Sequence, residues 1–104
     1  MSLASLILSL LGDIQDPRVR SEIAATVYFL RDVYMHGRMG EEELYEELCG
    51  VISTVLDVTH PFLLPDEKKK KVEEMAKQMV RAIKIETVRA RLMRKMSRLP
   101  GAPF

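Results

Sequence analysis

From Asp66 to Leu99 the chain contains neither proline nor glycine, and most of its residues are good helix formers. The segment reads as one helix running unbroken from residue 66 to about residue 98, just before Pro100-Gly101. Its 33 residues would extend about 50 Å at 1.5 Å per residue. In a chain of 104 residues, one element of that length dictates the rest. The other segments must pack along it, and part of it must project, bend or meet another subunit.

Three shorter helical segments precede it. Residues 2–11 carry Ser2, Ser5 and Ser9 on one narrow face, with leucine and isoleucine over most of the remainder, and Gly12 stands where a C-cap is expected. A helix this apolar needs cover on nearly every side, from its own fold, a partner subunit or a membrane surface, and the first two are favoured because its polar face carries no Lys or Arg. The second helix opens with Asp16-Pro17, a capping residue followed by a proline preorganised for the first turn. Ile23, Val27, Leu30 and Tyr34 form its stripe, and it ends near His36, before Gly37. The third begins with Glu41, Glu42 and Glu43, acids favoured at a helix N-terminus, and stops before Pro61. Leu44, Leu48, Val51, Val55 and Val58 form its expected stripe. The short loop between helices two and three makes them an antiparallel hairpin. Phe62, Leu63 and Leu64, between two prolines, are expected to plug one end of the core.

The expected fold class is all-α. It is a small bundle of four helices in a single domain, residues 1–104, with a central antiparallel hairpin and a long basic C-terminal helix, residues 66–98. Residues 99–104 form a short tail. Because the first helix is so apolar and the last outruns its neighbours, a homodimer is expected.

Charge is divided along the chain. Residues 68–104 hold twelve Lys or Arg against three acids, a net of +9, and residues 1–67 hold four Arg against twelve acids, a net of −8. Folding does not require this segregation, so it points to a partner. Lys70, Lys77, Lys84, Arg91 and Arg98 recur every seven residues, a row that drifts slowly around a straight helix. Arg81, Arg89, Arg94 and Lys95 widen it. Residues 89–98 contain five positive charges and no acid, so no internal i,i+4 ion pair is available there.

The apolar pattern of this helix also changes. Val72, Met75, Ala76, Met79, Val80 and Ile83 form a first stripe, which Glu86 and Thr87 are expected to break. Ile85, Val88, Leu92, Met96 and Leu99 form a second stripe on a rotated face, implying a second packing partner.

Three readings fit the basic helix. It is a solvated face balanced by the acidic surface of residues 41–47; it binds nucleic acid through phosphates; or it docks on a membrane or an acidic protein surface. The expected function is a small nucleic-acid-associated protein making sequence-tolerant backbone contacts with DNA or RNA through Lys77, Arg81, Lys84, Arg89, Arg91, Arg94, Lys95 and Arg98. The alternative is a non-enzymatic interaction or dimerisation module whose basic helix docks on an acidic protein surface. The basic helix has no aromatic residue for stacking on single-stranded bases, and Gln78 is its only amide. A helix-turn-helix built from helices two and three is disfavoured, since three glutamates would lead the recognition helix toward phosphate.

No catalytic, cofactor or metal motif is expected. His36 and His60, the only histidines, both adjoin helix C-termini, where imidazole is favourable. Cys49 stands alone in an apolar run and reads as a small buried hydrophobe of a reducing compartment. Glu42-Glu43-Leu44-Tyr45-Glu46 resembles the Glu-Glu-x-x-Glu half of the magnesium site in all-α nucleotide pyrophosphatases of the MazG type. The second half that the resemblance implies, a downstream Glu-x-x-Asp, is absent, as Thr54 stands three residues before Asp57. No small-molecule substrate is evident, and an enzyme is not expected. Residues 2–11 are too short to span a bilayer and lack the basic residues of a secretory signal, so a cytoplasmic protein is expected. The absence of Asn and the presence of only two Gln resemble the composition of hyperthermophile proteins.

Overall fold

The computed structural model describes residues 1–97. It is all-α, with four helices in chain order: α1 Leu3–Leu11, α2 Pro17–Met35, α3 Glu41–Thr59 and α4 Pro65–Ser97. Each start has a local cause. The Ser2 side chain accepts the amide of Ser5 at 3.1 Å, and Asp16 accepts that of Arg18 at 2.9 Å, satisfying amides that the first turn leaves free. Glu41, Glu42 and Glu43 occupy the first turn of α3, and Asp66 and Glu67 that of α4. Gly37, with φ of 74°, turns the chain out of α2 in a conformation other residues rarely adopt.

α3 and α4 run antiparallel as the principal pair, α2 lies on α3, and α1 packs against the other three. The core is one cluster. Leu6, Leu44, Leu48, Ile52, Met79, Ile83 and Val27 are its largest fully buried side chains. The molecule measures 58 × 28 × 22 Å. Its long dimension is set by α4, whose 33 residues span about 50 Å. Thr87 is the last buried residue of α4, and residues 91–97 are exposed, so the final turns extend past the bundle.

Several expectations need correction. Phe62 is 95% exposed and Leu64 62%, so they plug nothing. The linker turns outside the helix ends, with the Leu63 amide donating to the His60 carbonyl at 3.3 Å. Ile14, in the turn after α1, is buried in the core instead. On α3 the buried line is Leu44, Leu48, Ile52 and Val55, with Val51 half-buried and Val58 72% exposed. The cause is that α3 leans chiefly on α4, which turns Ile52 inward and Val58 out. On α4 the buried stripe does not break where polar residues appear. Thr87 is buried, its hydroxyl donating to the Ile83 carbonyl at 2.8 Å, and Glu86 is half-buried, accepting from Arg31 Nη1 at 3.4 Å. The α1 helix spends Leu3, Leu6, Ile7, Leu10 and Leu11 within its own chain and leaves Leu8 exposed, so its composition no longer argues for a dimer.

Candidate nucleic-acid interface

Of the expected contact residues, Lys77, Arg81, Lys84, Arg89, Arg91, Arg94 and Lys95 are all exposed, and Arg98 lies outside the described residues. Their directions follow from helix geometry. At about 100° per residue, Lys77, Arg81, Lys84, Arg91 and Lys95 share an arc of about 80° on the exposed flank of α4 that adjoins α3. Lys70 falls in the same arc one heptad earlier and is also exposed. From Lys70 to Lys95 the strip extends about 37 Å. Arg89 and Arg94 leave it: Arg89 faces the start of α1 beside Met1, and Arg94 continues the line of the buried stripe.

The strip borders a groove of about 690 Å³ between α3 and α4. Tyr45 and Val80 line its floor, with Lys77, Arg81 and Lys84 on one side and Glu41 and Glu42 on the other. Lys84 Nζ meets Glu41 Oε1 at 2.6 Å. That hydrogen bond, and then the carboxylate charge, hold the Lys84 ammonium above the usual lysine range. Lys68 pairs with Asp57 at the opposite end of α3. Among the described residues no other Lys or Arg of α4 lies in an ion pair, so the acidic surface of residues 41–47 answers the strip at one place only.

The acidic pentapeptide does not assemble a metal site. Glu42 and Asp57 are 15 positions apart on α3, about 22 Å. Among the described residues no group of three or more His, Cys, Asp and Glu stands close enough to hold an ion. Sequence reasoning missed one hydroxyl–imidazole–carboxylate chain. Thr59 Oγ1 lies 2.9 Å from His60 Nδ1, and His60 Nε2 lies 3.6 Å from Asp13 Oδ2. Thr59 donates its proton to the Val55 carbonyl at 2.9 Å, so His60 Nδ1 acts as donor toward it and is not placed to deprotonate it. As a doubly protonated imidazolium, His60 ties the end of α3 to the turn after α1. His36 is likewise occupied locally, with Nδ1 at 2.7 Å from the Asp32 carbonyl.

No protein-family model, no curated protein and no solved structure matches the chain. The geometry defines a class: a four-helix all-α protein whose longest helix carries an exposed cationic strip and ends outside the bundle. Among the described residues no helix is long and apolar enough to cross a membrane.

Proposed function

We propose that this chain is a small nucleic-acid-associated protein that contacts the phosphates of a duplex or a structured RNA. Lys77, Arg81, Lys84, Arg91 and Lys95 form the principal line of contact, with Arg89 and Arg94 at its flanks. One observation carries the reading. A strip of exposed cations about 37 Å long has a single ion-pair partner in its own chain at Lys84, so its charge is available to a polyanion. Sequence-tolerant binding follows from the absence of aromatic and Asn residues on α4. The composition supports the further reading of a cytoplasmic protein from a heat-adapted source.

The test is binding of the full chain to a fluorescent DNA duplex, a hairpin RNA and a single strand across a salt series. With Lys84 held by Glu41, the other four cations of the line make the phosphate contacts, and log K against log salt should fall with a slope of about −3.6 for duplex DNA. Binding that is absent at low salt for all three probes removes the proposal.

A further inference from the structure

Beyond Thr87 the helix α4 has left the core, and a solvated basic helix needs no apolar residues there. It nevertheless carries Val88, Leu92 and Met96, exposed by 63, 56 and 40%, in line with Ile85 just before Thr87, exposed by 47%. Their spacing of three, four and four places them on one line, within an arc of about 80° roughly opposite the buried stripe. Arg89 borders the line on one side, and Lys95 borders it on the other. The last acid of α4 before the described end is Glu86, which is turned toward Arg31. The arrangement is a narrow apolar seam between two cationic edges, the geometry with which one helix receives another.

We propose that this seam docks an acidic amphipathic helix of a different protein, about three turns long, with apolar residues against Val88 and Leu92 and carboxylates against Arg89 and Lys95. Charge selects this occupant. A second copy laid antiparallel on the same seam would oppose cation to cation along both edges, which is unfavourable. A lipid surface needs a wider apolar arc, and here Arg89 separates the seam from the exposed Met93. Phosphates offer nothing to four aliphatic side chains. The inference does not rest on the nucleic-acid reading, because its central residues are ones that phosphate contacts do not use.

The test uses the full chain and synthetic three-heptad peptides. One has Leu at the a and d positions and Glu at e and g, a second is a scrambled version of identical composition, and both are titrated at about 0.15 M salt. The patterned peptide should bind at least about tenfold more tightly than the scrambled one, and Leu92→Ser or Val88→Ser should abolish that advantage. Both substitutions are at exposed positions, so the urea midpoint and duplex DNA binding should stay unchanged, which separates this result from the phosphate test. Equal binding of the two peptides overturns the proposal, as does indifference to both substitutions. It is also overturned if the free chain forms dimers by light scattering that Leu92→Ser dissolves, or if phosphatidylserine vesicles bind with the same dependence on Leu92.

Discussion

Cys49 shows how burial sets chemistry at a single atom. It stands half-buried on α3 beside the α3–α4 groove, with Tyr45 one turn before it and Val72 across from it. Burial pushes its thiol above the usual range. The charges of Glu73 and Glu46 push the same way, while a hydrogen bond from Tyr45 opposes them. The neutral thiol is therefore favoured in the fold, and alkylation by iodoacetamide near pH 8 should be severalfold slower than for a peptide cysteine, recovering in urea. Equal rates in both conditions would show that the thiol ionises freely. The sign for stability follows: this contribution is complete below the unfolded value of 9.0 and is lost as pH rises through the raised folded value. The sequence showed Cys49 as a small hydrophobe in an apolar run, and that much was legible. The residues it misrepresented were Glu86 and Thr87. Both are polar by letter, but the Thr87 hydroxyl is satisfied by the carbonyl one turn earlier, leaving its methyl to pack. Thr87→Val should thus change stability by less than about 1 kcal/mol, whereas a charged replacement such as Thr87→Asp should cost more than about 2 kcal/mol. Thermal denaturation of the two variants decides it.

At the scale of elements, each of the four helices was legible to within a residue or two at its described ends, because punctuation and caps are local. Asp16-Pro17, Gly37, Gly40 and Pro61 act through backbone conformations that need no tertiary partner. Which face of α3 turns inward was not local. Val51 with Val58 and Ile52 with Val55 offer two apolar phases along one helix, and only the surface of α4 chooses between them. The linker failed for a related reason: Phe62 is apolar in the sequence, but no neighbour reaches it. Denaturant unfolding separates the two kinds of position. Leu48→Ala empties a fully buried site between α3 and its neighbours and should cost about 2–5 kcal/mol. Phe62→Ser, at a side chain 95% exposed, should stay within about 0.5 kcal/mol of the parent. A large loss from Phe62→Ser would mean that the linker is covered after all.

For the whole molecule, the seven-residue recurrence of Lys70, Lys77, Lys84 and Arg91 made the cationic strip legible, since helix geometry alone aligns such a row. Which cation is already paired was hidden, because that depends on the register of α3 against α4. The register sets Glu41 on Lys84. That pair is the point where the acidic and basic halves of the chain compete for the same cation. A phosphate arriving at Lys84 must displace the Glu41 carboxylate or accept its repulsion, with Glu42 close by on the same side of the groove. Glu41→Gln removes both obstacles and leaves the cation in place. Its effect should be tighter binding to duplex DNA, by a few-fold at low salt, and a salt slope steeper by up to about 0.9 as one more cation joins the contact. Lys77→Gln should do the reverse, weakening binding and flattening the slope by a similar amount, while its ion-pair inventory within the chain loses nothing. The opposed signs matter more than either magnitude. A protein held to nucleic acid only by its net charge would also bind more tightly after Glu41→Gln, but the same one-charge change at Glu22, on exposed α2 away from the strip, would then act equally. Anisotropy titrations of Glu41→Gln and Glu22→Gln against one duplex decide between a local contact at Lys84 and a diffuse field: the local contact requires that Glu41→Gln tighten binding clearly more than Glu22→Gln.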